Sequence, residues 1–88
     1  MVMWEIEFTK RAVKDVELIK QAGLKDAVIK LLEVLKNNPF QNQPPYEKSV
    51  GDLKGAYSRR ISIKHRLVYT VDKDRHCVRI LRLWTHYE

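Results

Sequence analysis

The sequence predicts an α+β fold in the order β-α-α-β-β-β, with a helical hairpin packed on one face of a small, mainly antiparallel sheet. Three observations predict it. The chain opens with alternating apolar residues, continues with two amphipathic segments separated by a glycine, and closes with three strand-like segments. Its 88 residues, 44% of them apolar and 32% charged, allow one domain, residues 1–88, with one modest core.

The first strand and the hairpin follow from residue spacing. In WEIEF, the apolar side chains alternate with Glu5 and Glu7, which is the period of a half-buried strand. Thr9 is a suitable N-cap for a helix that stops at Gly23. A second helix continues to Asn37, Asn38 and Pro39, and its apolar stripe consists of Leu24, Ala27, Val28, Leu31, Leu32 and Leu35.

The segment NNPFQNQPPYEKSVGDLKG, residues 37–55, is predicted to be a long loop, because it contains three prolines, two glycines and little periodicity. A loop of this length in so small a domain is more often functional than idle. Three strand-like segments follow: AYSRRISI, RLVYTV and CVRILRLW. Their short connections predict an antiparallel meander, and the helices leave its second face open.

The open face is expected to carry arginines. In RLVYTV, Leu67 and Tyr69 share the more apolar face, which should pack on the helices, so Arg66 is expected on the open face. A three-residue loop before Arg66 would place Arg60 beside it, whereas a two-residue loop would place Arg59 there. The sequence leaves both alternatives open.

Charge is distributed unevenly along the chain. The net charge is +6, and residues 1–43 contain 7 basic against 6 acidic side chains, whereas residues 44–88 contain 10 against 5. A basic half suits a polyanionic partner, although solubility alone also explains it. The single cysteine, the absence of a signal-peptide pattern and the absence of an apolar run of roughly 20 residues favour a cytoplasmic protein without a membrane segment.

The sequence offers no metal-binding or phosphate-loop motif. Cys77, His65, His76 and His86 are scattered without ligand spacing, and there is no glycine-rich phosphate loop. We therefore expect no metal and no cofactor.

The residue types needed for metal-free RNA cleavage are all present. That reaction needs a base for the 2′-hydroxyl, cations for the phosphate and an acid for the leaving 5′-oxygen. Glu47 in PPYEK, Arg60 and Arg66, and His86 are candidates for these three tasks. Trp84 and Tyr87 offer surfaces for stacking on bases. Each also has a structural interpretation: a solvated carboxylate, a wet sheet face, or packing of the chain end.

The segments GAYSRRISIKHRLVYTV, PPYEK and the terminal THYE together resemble the YoeB/Txe toxins of bacterial type II toxin–antitoxin modules, in the RelE/ParE superfamily. The resemblance extends over essentially the whole chain and implies a RelE-like microbial RNase fold. It implies a ribosome-dependent, metal-independent endoribonuclease that cuts mRNA, leaving a 2′,3′-cyclic phosphate. It also implies a cognate antitoxin, contact with ribosomal RNA, operator binding only as a toxin–antitoxin complex, and homodimerisation as a possible state.

The same resemblance assigns roles to individual residues. Glu47 is the implied general base, His86 the general acid and Arg66 the group that stabilises the phosphate. Arg60 is implied to support Arg66, and Tyr87 to position the RNA. Further candidates for contacting RNA are Arg59, Lys48 and Trp84.

Two features depart from the family pattern. Close members carry a Lys-His pair shortly after the loop glutamate, where this chain has Val50-Gly51, so Lys48 and Lys54 are candidates for the missing positive charge. Glu88 extends the chain past the His-Tyr pair and is expected to favour protonated His86. The alternative function is that of a non-catalytic binding module, since some superfamily relatives poison DNA gyrase without cutting RNA.

Overall fold

The computed structural model describes residues 3–48 and 55–84, which form two helices and a sheet. In chain order the elements are β1 (Glu5–Phe8), α1 (Lys10–Gln21), α2 (Lys25–Asn37), β2 (Tyr46–Lys48), β3 (Tyr57–Arg60), β4 (Arg66–Asp72) and β5 (Cys77–Arg82). The predicted α+β class is confirmed. Within the described ranges, no helix is both long enough and apolar enough to cross a membrane.

The five strands form one mixed sheet in the order β1-β5-β4-β3-β2. β1 pairs with β5 in parallel, because the helical hairpin carries the chain back across the sheet. The other pairs are antiparallel: β3 with β4 and β4 with β5 form the predicted meander, and β2 with β3 is a pair that the sequence did not predict. β2 and β1 are therefore the two edge strands.

The helical hairpin begins and turns where the sequence indicates. The Thr9 hydroxyl accepts a 3.2 Å hydrogen bond from the amide of Ala12, and it donates one to the carbonyl of Leu81 at the end of β5. The connection between the helices passes through Gly23 with a φ of 73°. Glycine is suited to this left-handed conformation because it has no Cβ.

The core lies between the hairpin and one face of the sheet. It includes Leu31 and Leu35 from α2 together with Leu67, Tyr69 and Ile80 from the central strands. Leu67 and Tyr69 were predicted to face the helices, and both are fully buried there. The alternation of β4 therefore leaves Arg66 on the opposite face.

Three predicted boundaries differ from the structure. The long segment after α2 is not entirely a loop, because Tyr46–Lys48 pairs with β3 as a short edge strand. The run AYSRRISI ends as a strand at Arg60, and a five-residue loop, 61–65, leads to β4. The amides of Ile61 and Ser62 both donate to the carbonyl of His65, so this loop closes on itself instead of extending the ladder. The last strand, β5, ends at Arg82, two residues earlier than the run CVRILRLW suggested.

Candidate active site

Glu47 is placed by the edge strand β2. In the register of β2 and β3, Glu47 lies opposite Ser58, while its neighbours Tyr46 and Lys48 lie opposite Arg59 and Tyr57. Since successive side chains point to opposite faces, Glu47 is on the open face of the sheet. The predicted loop carboxylate is thus held by a strand.

Arg66, the first residue of β4, meets Glu47 across the open face. Its Nη1 donates to Oε2 of Glu47 at 2.8 Å and to Oγ of Ser58 at 3.4 Å. The side chain of Arg66 is 11% exposed, whereas that of Glu47 is 66% exposed. The guanidinium is therefore held in place by the sheet, and the carboxylate remains accessible to a ligand.

Arg60 adds a second cation to the same face. It lies directly opposite Arg66 in the register of β3 and β4, and it is exposed. The register therefore decides between the two alternatives in favour of Arg60. The observed loop has five residues, an odd number like the three considered above, and an odd loop puts Arg60 and Arg66 on the same face. Two guanidinium groups and one carboxylate share this part of the face.

A groove of about 560 Å³ opens at these side chains. Its lining combines charged and polar residues, Glu47, Ser58, Arg60, Ser62 and Arg66, with apolar ones, Pro44, Pro45, Ile61 and Ile63. Ile63 is 87% exposed at the tip of the 61–65 loop. The groove can therefore offer charge to one part of a ligand and apolar surface to another.

Two predicted RNA-contacting residues lie on the other face of the sheet. Arg59 is fully buried, and its guanidinium hydrogen-bonds to Tyr69 and to backbone carbonyls. Lys48 is exposed but lies opposite Tyr57, so it does not share the face of Glu47. The structure brings Glu47, Arg60 and Arg66 together and leaves Arg59 and Lys48 apart from them.

Trp84 packs beside the site. Its ring stacks on His65 with 3.8 Å between ring centroids and an interplanar angle of 21°. His65 is buried and directly precedes Arg66. The last described residue of the chain is therefore anchored against the segment that carries Arg66.

Asp15 of α1 fixes the end of β5. Its Oδ2 accepts hydrogen bonds from the amides of Leu83 and Trp84 at 2.9 and 3.1 Å and from Nε of Arg82 at 3.2 Å. We did not anticipate this role from the sequence. The sequence does show that Asp15 interrupts the apolar stripe of Ala12, Val16 and Ile19. In the structure this carboxylate is buried on the same side of α1.

Several sequence expectations fall outside the described residues. They concern the proposed acid His86 and its neighbour Tyr87, the extra residue Glu88, and the departure at Val50-Gly51 with Lys54. Trp84 is followed by Thr85 and then by His86 in the sequence. The roles of these residues remain predictions.

The far end of the open face has a separate polar cluster. Glu7 accepts from Arg79 at 2.9 Å, and the thiol of Cys77 donates to Glu7 at 3.5 Å. Hydrogen bonds from Arg79 and Cys77 lower the pKa of Glu7, while burial and the adjacent Glu7 raise the pKa of Cys77.

In the part of the chain that the structure describes, no three His, Cys, Asp or Glu side chains are grouped as metal ligands.

Solved structures with this fold define the class of protein. A YoeB/ParE toxin from Agrobacterium tumefaciens superimposes with a TM-score of 0.83 at 27% identity, over 94% of this chain and 99% of that one. The YoeB-YefM complex from Staphylococcus aureus matches with a TM-score of 0.78 at 32% identity, over 96% and 98%. An archaeal RelE-RelB complex from Pyrococcus horikoshii, at 20% identity over 93% of each chain and a TM-score of 0.71, shares the fold. The class is that of RelE/ParE-superfamily toxins.

The family assignment is narrower than this class. The model of YoeB-like toxins of bacterial type II toxin-antitoxin systems matches residues 8–87. The chain belongs to this family and is a toxin of a type II toxin–antitoxin system. A comparison with curated protein sequences found no match.

Proposed function

We propose that this toxin is an endoribonuclease that cuts mRNA on the ribosome at the groove of Glu47 and Arg66, with side chains alone supplying the chemistry. The observation that carries the proposal is the 2.8 Å contact between the Glu47 carboxylate and the Arg66 guanidinium. This contact places a base and a phosphate-binding cation close enough together to act on one phosphodiester linkage. The exposed Arg60 beside them adds positive charge for the same phosphate.

The proposed reaction is an intramolecular transesterification. Glu47 takes the proton of the 2′-hydroxyl, whose oxygen attacks the adjacent phosphorus, and the bond from phosphorus to the 5′-oxygen breaks. Arg66, supported by Arg60, stabilises the negative charge that grows on the phosphate oxygens. His86 gives its proton to the departing 5′-oxygen, with Tyr87 positioning the RNA, and the roles of these two residues rest on the family resemblance. The products are a 2′,3′-cyclic phosphate and a free 5′-hydroxyl.

The apolar residues in the lining of the groove support RNA as the ligand. Protein recognition of single-stranded RNA combines cationic contacts to phosphates with packing against unstacked bases. Here Ile63 and Pro45 line the same groove as the charged side chains. A groove with both surfaces suits a nucleotide better than it suits an inorganic anion.

The proposed partner in the resting state is a separately encoded antitoxin. The Staphylococcus aureus relative was solved with YefM, and another structure of it is a YoeB dimer. We expect an acidic segment of the antitoxin to cover the basic groove here, because opposite charge and a disordered chain suit such a surface. Homodimerisation and operator binding of the toxin–antitoxin complex are part of the same proposal, and sedimentation and operator-binding assays test them.

Mapping of transcript ends tests the function. The protein is incubated with translating ribosomes in a buffer that contains the Mg²⁺ they require, with free transcript in a parallel reaction, and with Glu47→Ala and His86→Ala alongside. We expect new ends only with ribosomes and wild-type toxin. No new ends with ribosomes and wild-type toxin, or full activity of His86→Ala, would contradict the mechanism. Growth inhibition that survives both substitutions would favour a non-catalytic binding module.

A further inference from the structure

Arg59 has an unusual environment for an arginine. It is fully buried, and all three guanidinium nitrogens donate hydrogen bonds. Nε donates to the Tyr69 hydroxyl at 3.1 Å. Nη1 donates to the carbonyl of Pro44 at 2.5 Å, and Nη2 to those of Pro39 and Gln41 at 2.9 and 2.7 Å.

The acceptors of these four hydrogen bonds are neutral oxygens. Burying a cation is costly unless its environment compensates for the lost water. Here three carbonyl dipoles and two aromatic faces do so, with the guanidinium carbon 5.0 Å from the ring centre of Tyr46 and 5.9 Å from that of Tyr69. A hydrophobic side chain would avoid the cost, so the arginine is expected to perform a task that needs its donors.

The task is visible in what the donors hold. The carbonyls belong to the segment 39–44, which connects α2 to β2 and lies outside any helix or strand. The Tyr69 hydroxyl donates to the Pro39 carbonyl at 3.0 Å and so completes the attachment. Arg59 also lies opposite Tyr46 in the register of β2 and β3. It therefore fixes both the backbone that enters β2 and the residue next to Glu47.

β2 depends on this attachment. It is a three-residue strand at the edge of the sheet, and so short a strand contributes few ladder hydrogen bonds. The 2.8 Å approach of Glu47 to Arg66 requires β2 to stay in register with β3. We propose that Arg59 is a positioning residue, which acts through β2 to hold Glu47 at its working distance from Arg66 and does not contact RNA. This inference rests on the proposed function.

Steady-state cleavage of RNA separates this role from direct contact. Arg59→Lys keeps the charge but cannot reach all the acceptors, and Arg60→Lys is the matched control on the open face. For Arg59→Lys we expect kcat to fall about 10- to 100-fold with KM changed less than about twofold, because a displaced base slows chemistry without weakening binding. Arg60→Lys should raise KM. A raised KM with unchanged kcat for Arg59→Lys would overturn the proposal.

A double-mutant comparison tests whether the effect passes through Glu47. Once Glu47→Gln has removed the base, Arg59→Lys should cause no further loss of cleavage. A further loss as large as in the wild-type background would overturn the proposal. Tyr69→Phe, which removes one acceptor of Arg59 with little change of volume, should show the same pattern at smaller amplitude.

Amide hydrogen exchange supplies a readout that does not require cleavage. In Tyr69→Phe and Arg59→Lys we expect the amides of 46–48 to exchange at least about tenfold faster, with those of β5 unchanged, since local opening precedes global unfolding at weakly held edges. Unchanged protection of 46–48 would overturn the proposal. If wild-type toxin does not cut RNA, the proposed function fails, whereas the exchange result still decides whether Arg59 holds β2.

Discussion

The carboxylate of Glu47 and the guanidinium of Arg66 form a 2.8 Å ion pair at the rim of the open groove. The glutamate is 66% exposed, and pairs with so much exposure contribute little to folding. The pair is therefore better explained by what it can do to a phosphodiester than by what it adds to stability. Stability and activity should respond differently when it is changed.

Glu47→Gln should separate these two quantities. Because the amide cannot accept the 2′-hydroxyl proton, cleavage should fall by about 10²- to 10⁴-fold, while the free energy of unfolding changes by less than about 1 kcal/mol. The measurements are single-turnover cleavage and urea unfolding. Glu33→Gln, at an exposed position of α2, is the matched control and should leave both unchanged. A loss of cleavage that merely follows a loss of stability would contradict the assignment.

Asp15→Asn should destabilise the protein. The buried carboxylate accepts three hydrogen bonds at the end of β5, and an amide accepts them more weakly because it carries no charge. We expect a loss of about 1–3 kcal/mol in the free energy of unfolding, measured in urea. Asp74→Asn, in the exposed turn before β5, is the control. Equal stability of the two variants would show that Asp15 does not hold the strand end.

Ile63→Asp should weaken RNA binding. The exposed side chain lines the groove, and an added carboxylate would both remove apolar surface and repel phosphates. We expect the dissociation constant of a short, non-cleavable 2′-deoxy substrate to rise by about three- to tenfold in fluorescence anisotropy, in line with the loss of a single base contact. Val13→Asp introduces the same charge on exposed α1 and should have a smaller effect. An equal rise in the dissociation constant for both variants would show that the added negative charge alone weakens binding, wherever it lies on the surface.

Stability should decrease at alkaline pH. Burial raises the pKa of Tyr69 above its usual value of 10.0, so the folded state retains a proton that the unfolded state releases. The resulting stabilisation is complete below that value and is lost as the pH rises through the folded pKa. Urea midpoints at about pH 8 and about pH 10.5 measure this loss. Tyr69→Phe should be less stable than the wild type at the lower pH. Its urea midpoint should fall less than that of the wild type between the two pH values.

Removal of the last three residues should separate folding from cleavage. A chain ending at Thr85 retains the hydrogen bond from the Trp84 amide to Asp15 and the stacking of Trp84 on His65. We expect this variant to fold with a nearly unchanged melting temperature and to cut RNA at least about 10²-fold more slowly, because it lacks the proposed acid His86. Removal of Glu88 alone keeps His86 and Tyr87, and we expect this variant to cut RNA much faster than the chain ending at Thr85. Full activity of the shorter chain would contradict the role of His86.

The sequence predicts the main architecture because its signals are local. Alternation in WEIEF, the cap at Thr9 and the glycine at position 23 each act within a few residues, and each is found as expected. β2 was missed because three residues between prolines and glycines carry no periodicity, and its pairing with β3 is a tertiary interaction. The same pairing turned the predicted loop residue Glu47 into a strand residue.

The candidate site divides in the same way. The alternation of apolar residues in β4 predicts Arg66 on the open face, and the structure confirms this position. The choice between Arg59 and Arg60 depended on loop parity, which the sequence does not specify. The buried environment of Arg59 could not be foreseen, since its partners at 39, 41, 44 and 69 are remote in the chain. The role of Asp15 in anchoring the end of β5 could likewise not be predicted, because its partners lie 67 to 69 residues away in the chain.

The chemistry of the cut ends is the most direct test of the proposed mechanism. A defined transcript is treated on translating ribosomes with wild-type toxin or Glu47→Gln, and the new termini are identified by mass spectrometry. We predict a 2′,3′-cyclic phosphate paired with a 5′-hydroxyl for the wild type, and at least about 10²-fold fewer of these termini for Glu47→Gln in the same time. Termini with a 3′-hydroxyl and a 5′-phosphate, or equal cleavage by Glu47→Gln, would contradict the account.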